Sequence, residues 1–114
     1  MYGWIITKDL LWDENPEWNK EHDMKNNKGT IGPSGTILDK GTIVTMGKKF
    51  RMKDDDGEIY YEGMIFETDM SETTGFEPLD EFGMPNAGCV SIEYLENGRW
   101  VRLYSIYGFK MMGV

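Results

Sequence analysis

The stretch CVSIEYLENGRWVRLYSIY, residues 89–107, decides the fold. Two runs rich in β-branched and aromatic residues flank Asn97-Gly98, the dipeptide best suited to the positive φ angles of a two-residue hairpin turn. Such a turn fixes the register. Glu96 opposes Arg99, Leu95 opposes Trp100, Tyr94 opposes Val101, Glu93 opposes Arg102 and Ile92 opposes Leu103. Side chains alternate between faces along a strand, so Val90, Ile92, Tyr94, Val101 and Leu103 are expected to share a core face. Glu93 and Arg102 then share the other face with Leu95, Trp100 and Tyr104. That face is too apolar for full solvation, and an N-terminal strand, a helix or a partner is expected to cover it.

Working outward, KDDDGEIYYEG at residues 53–63 sets four acids within six positions. Before it, Phe50 and Met52 alternate with Lys49, Arg51 and Lys53, the period of a half-buried strand. After it, residues 58–67 supply a second strand. A four-residue loop over 54–57 opposes Lys53 to Glu58 and Met52 to Ile59. A two-residue loop at Asp56-Gly57 moves the register by two. Either choice puts Phe50, Met52, Ile59 and Tyr61 on one side, so the aspartates are a turn. As a calcium loop the stretch fails, because an EF-hand needs ligands at positions 1, 3 and 5, glycine at 6 and glutamate at 12. Counting from Asp54 places Ile59 and Ile65 at the glycine and glutamate positions; counting from Met52 loses the first ligand.

Elsewhere, residues 2–12 read as a first strand. Asn15 and Pro16 suit the start of a short polar helix with Trp18 as its apolar anchor, a mobile excursion being the alternative. Residues 29–35 are glycine punctuation. Residues 36–38 and 42–46 are β-branched pieces around a turn at 39–41, and residues 78–83 form one helical turn closed by Gly83. The expected architecture is a single domain over residues 1–114, mainly β: a bent antiparallel sheet or small barrel of about five to six strands with one short helix, α+β being the variant.

The single cysteine excludes an internal disulfide, and Cys89 reads as a small buried hydrophobe at a strand start. No run reaches the roughly 20 apolar residues of a membrane span, and residues 1–9 carry no basic leader, so a cytoplasmic protein away from membranes is expected. His22 has no second histidine for zinc. The sequence lacks a phosphate loop and a nucleophile elbow. No catalytic residue, metal or cofactor is therefore expected. Among nine methionines, Met46, Met52, Met64 and Met70 are expected to fill the core, and Met84, Met111 and Met112 to offer adaptable contact surface.

Net charge is −8, and its distribution is uneven. Residues 54–98 hold thirteen of the twenty acids and no lysine or arginine, against seven acids and twelve bases elsewhere. Direct binding of nucleic acid is excluded by repulsion from the phosphates. Acids spaced within the ~8 Å Debye length act together on an approaching basic surface and speed encounter with it. The expected contacts are Asp54, Asp55, Asp56, Glu58, Glu62, Glu67, Asp69 and Glu72, gathered in one patch, with Trp100 and Tyr104 as apolar anchors. The expected partner is a basic nucleic-acid-binding protein, the carboxylates imitating phosphates.

In size and charge, with no shared motif, the chain resembles the small acidic inhibitors carried by phages and other mobile elements, including anti-CRISPR proteins. That resemblance implies a non-enzymatic inhibitor acting as a DNA mimic. Two alternatives come from other classes. One is a small-ligand or nucleotide-sequestering protein, with residues 29–36 cradling phosphate and Trp4 or Trp100 stacking on a base. The other is a structural homo-oligomer paired through the second hairpin face. A solvated acidic face with no partner accounts for the same charge run.

Overall fold

The two hairpins lie side by side. β3 (Lys48–Lys53) and β4 (Ile59–Glu67) flank the aspartate turn, β5 (Ser91–Glu96) and β6 (Arg99–Ile106) flank Asn97-Gly98, and β3 pairs antiparallel with β5. β1 (Tyr2–Asp9) pairs with the other side of β4, the two-residue β2 (Ile31–Gly32) pairs with β1, and β7 (Phe109–Met112) pairs with β6. Among the described residues the product is an open antiparallel sheet of seven strands in the order β2-β1-β4-β3-β5-β6-β7. This computed structural model describes residues 1–68, 74–106 and 109–112, with side chains as far as residue 104.

Period-two alternation places Trp4, Ile6, Phe50, Met52, Tyr61, Ile65, Ile92, Tyr94 and Leu103 on one buried face. An irregular helical segment covers that face. It comprises a tight turn at Thr74–Phe76, a wide turn at Leu79–Gly83 and a last helical turn at Met84–Ala87. From it Phe76, Leu79 and Phe82 enter the core, as does Cys89 just beyond. The Phe82 ring lies 5.6 Å from Trp4 and 4.9 Å from Tyr61. Burying such a side chain contributes about 1.5–3 kcal/mol. Gly83 lets the segment rest directly on the sheet, since a Cβ there would stand 2.6 Å from Met52 Sδ. Helical backbone therefore runs through Gly83 and ends at Gly88, whose φ is +73°.

Past Asp9 the chain leaves the sheet as α1 (Leu10–Glu14) and α2 (Pro16–Glu21). Asp9, only 3% exposed, caps α1 by accepting from Trp12 N at 3.0 Å, and its other oxygen accepts from Asn27 N at 3.0 Å. One carboxylate thus ties the end of β1, α1 and the returning loop together. α3 (Lys40–Met46) packs on the opposite sheet face, where Ile43 fits the notch left by Gly3.

The β character, antiparallel pairing and β5–β6 register agree with the sequence, while several local expectations do not; a bulge after Met52 pairs Lys53 with Ile59, so Tyr60 rather than Ile59 packs against the core. The sheet stays open, and short helical pieces outnumber the single helix expected. Residues 42–46 are helical because Asp39 accepts from Thr42 N at 2.8 Å, a helix cap that outweighs β-branched propensity once Ile43 is buried. Trp18 is not an anchor: it is 55% exposed and stacks on His22, and Asn19 is the buried residue of α2. Val90 is 49% exposed because β5 begins after it. Met52 fills the core as expected, but Met46 is exposed; Met70 lies outside the described residues.

Candidate functional site

Two regions divide the acids of residues 54–98. The first is the sheet face turned away from the core. There β3 carries Lys49, Arg51 and Lys53 between β4 and β5, with Arg51 opposite Glu62 on one side and Glu93 on the other. Arg51 Nε donates to Glu93 Oε1 at 2.5 Å, Lys53 Nζ lies 3.1 Å from the same oxygen, and Lys49 Nζ lies 3.3 Å from Glu62. Lys48 pairs with Glu96. Burial works to raise the Glu93 pKa, but the hydrogen bonds from Arg51 and Lys53 outweigh it and hold the carboxyl below its ordinary value. The Arg51 guanidinium also lies 4.2 Å over the Trp100 ring, and Arg102 lies 5.2 Å over Tyr104.

The second region is the end of the sheet formed by the β3–β4 turn. Asp54 belongs to the turn itself. Its Oδ1 accepts from Asp56 N at 2.9 Å and Glu58 N at 2.8 Å, and its Oδ2 accepts from Tyr60 hydroxyl at 2.7 Å. The Tyr60 bond is the main reason the Asp54 pKa is lowered; the same bond pushes Tyr60 up to about 12. Gly57 closes the turn at φ +83°, where other residues are strained. Asp55, Asp56 and Glu58 face solvent. Oxygens of Asp54, Asp55 and Asp56 lie within 4.8 Å of one another, as adjacent carboxylates on a tight turn do without any ion.

Strand direction brings more acids to this end. β1 finishes at Asp9 opposite Tyr61, near the start of β4, so α1 and α2 emerge at the same end of the sheet as the aspartate turn. They carry Asp13, Glu14, Glu17, Glu21 and, just beyond, Asp23. Together with Asp55, Asp56 and Glu58 these are eight exposed carboxylates. Among the described residues none of the eight forms an ion pair.

The expected contact set is therefore divided. Asp55, Asp56 and Glu58 stand at the acidic end, with Asp54 occupied in holding the turn. Glu62 is on the neutralised face. Glu67 lies at the far end of β4, about 30 Å away at strand rise, 3.2 Å from the Met1 amino group. Asp69 and Glu72 lie outside the described residues. Trp100 is half-buried under Arg51, while Tyr104 is 43% exposed. The expectation of one continuous patch drawn from residues 54–98 is corrected: β3 inserts its bases between the acid-bearing strands, and β4 carries Glu62 on the neutralised face and Glu67 at its far end. Local charge pointed to the part that was missed. Residues 10–24 hold five acids and one lysine, a bias hidden when they were averaged with basic segments.

Other expected features find structural work. Trp4 is buried and its indole N–H donates to Glu81 at 2.8 Å, so it cannot stack on a base. In the glycine-rich loop, Gly29 N donates to Ile6 O at 2.7 Å, Thr30 N to Asn27 O at 3.0 Å and Thr36 N to Pro33 O at 3.0 Å. Those amides are occupied rather than aimed at an anion. Burial pushes the Cys89 thiol up to about 12, which makes it a neutral packing group at neutral pH. Comparison with known proteins returns no match, whether to a family model, a curated protein or a solved structure.

Proposed function

We propose that the chain is a non-enzymatic protein-binding module whose acidic end docks on a basic surface of a nucleic-acid-binding protein, as an inhibitor of the DNA-mimic type would. The observation that carries this reading is the contrast in neutralisation. Acids on the sheet face are ion-paired with bases of β3, whereas the eight exposed carboxylates at the end form no ion pair among the described residues. Concentrating like charge destabilises a fold slightly, and it raises the encounter rate with a cationic surface. A surface that accepts closely spaced phosphates presents the complementary charge.

The test is capture of interacting proteins at low and high salt, using the natural chain and a variant with Asp55, Asp56 and Glu58 changed to lysine. Basic nucleic-acid-binding proteins should be retained at low salt, released by high salt and lost with the variant. Equal capture by both chains would refute docking through this end. A second reading, self-association, is favoured by a groove of about 440 Å³ on the sheet face, where Met46, Met64, Phe66 and Leu95 leave apolar surface open. Light scattering across concentration separates a stable oligomer from a monomeric module.

A further inference from the structure

We propose that the cleft enclosed by α1, α2 and the chain reversal at Asp23 receives an arginine side chain of the basic partner, a proposal that rests on the docking reading above. The cleft has a volume of about 550 Å³ and is lined by Trp12, Asp13, Pro16, Asn19, Lys20, Asp23 and Met24, so its two carboxylates outnumber its one ammonium. Its walls are held from within. Trp12 N donates to the buried Asp9, and Asn19 Nδ2 donates to Trp12 O at 2.6 Å. Met24 N donates to Asn19 O at 2.9 Å, closing a reversal in which Asp23 adopts φ +51°. A preformed cleft lowers the ordering cost of binding.

Its chemistry suits a guanidinium. The half-buried Trp12 indole offers an aromatic wall, and Asp13 and Asp23 are exposed carboxylates without an ion pair among the described residues. A guanidinium is flat, stacks on an indole and donates in a fork to carboxylates; an ammonium lacks the flat face and the fork. The chain already contains this arrangement elsewhere, where Arg51 stacks over Trp100 while donating to Glu93. At the cleft the aromatic and the acids are present and the arginine is external.

The experiment compares two peptides of equal length and charge, one rich in arginine and one in lysine, titrated into the full chain at low salt. The arginine peptide should bind about tenfold more tightly and shift the Trp12 indole N–H resonance. The preference should vanish in the double variant Asp13→Asn, Asp23→Asn. Asparagine tolerates the left-handed backbone at position 23, so folding should be preserved, and an unchanged amide spectrum verifies it. Equal affinity for both peptides would overturn the arginine cleft while leaving electrostatic docking intact. A preference that persists in the double variant would overturn the cleft's location. Binding of neither peptide would overturn both readings.

Discussion

Glu93 and Asp55 belong to the same base-free run of sequence, yet they sit in opposite electrostatic settings. Glu93 lies between Arg51 and Lys53 on the sheet face, with its side chain 15% exposed. Asp55 stands on a turn facing water. Strand order makes the difference. β3 is inserted between β4 and β5, so bases that precede the acidic run in sequence become its neighbours in space. The exposed acids of the turn and of the two N-terminal helices make no ion pair with that strand. Charge on the face is paired within the fold; charge at the end forms no ion pair among the described residues.

Reversing charge at the end should have the largest effect. With Asp55, Asp56 and Glu58 changed to lysine, affinity for a basic polypeptide at low salt should fall about a hundredfold. The unfolding midpoint should be unaltered. A large loss of stability instead would show that the end, too, serves the fold.

Breaking the face should do the opposite. Arg51→Ala removes a donor to Glu93 and uncovers Trp100, and should cost about 2 kcal/mol in urea unfolding. That figure is below the usual cost of breaking a buried pair because Lys53 remains on Glu93. Binding of the basic polypeptide should not weaken.

Acid titration sharpens the contrast further. The folded Glu93 pKa is lowered, so its contribution is fully present above the ordinary glutamate value of about 4.3 and is lost as pH falls through the folded value. Glu93→Gln should reduce stability at neutral pH by about 1 kcal/mol and flatten the acid limb of the stability curve. An unchanged acid limb would remove Glu93 from the account.

The smallest effect separates two adjacent aspartates. Asp54→Asn should return the Tyr60 hydroxyl from about 12 toward its ordinary value, followed by ultraviolet titration. Asp55→Asn should leave Tyr60 and the unfolding midpoint unchanged. Equal responses would mean that Asp54 does not hold the turn in the way its hydrogen bonds indicate.

How much of this was legible in the sequence depends on the distance over which each feature is decided. Asn97-Gly98 sets its ladder locally, and Tyr94↔Val101, Leu95↔Trp100 and Glu96↔Arg99 are paired as the two-residue turn requires. The pairs Phe50↔Gly63 and Met52↔Tyr61 have the register of the two-residue loop, but a bulge after Met52 closes the turn between Asp54 and Glu58 and moves Tyr60 against the core. Pairing beyond the hairpins was not legible. Glu93 faces Arg102 across β5 and β6, but its ion pairs go to Arg51 and Lys53 from the other side. The helix at residues 40–46 depends on a cap and on the notch at Gly3, a contact between residues forty positions apart. The acidic end was missed for the same reason, since the return of β1 beside β4 is what places residues 13–23 at the same end of the sheet as the aspartate turn.

The most direct test of the central claim is backbone amide shift mapping of the labelled chain during titration with an arginine-rich peptide at low salt. Shifts should concentrate at residues 12–24 and 54–58 and leave residues 48–53 and 93–102 in place. Shifts centred on the face around Arg51, Glu93 and Trp100, or no shifts at all, would contradict it.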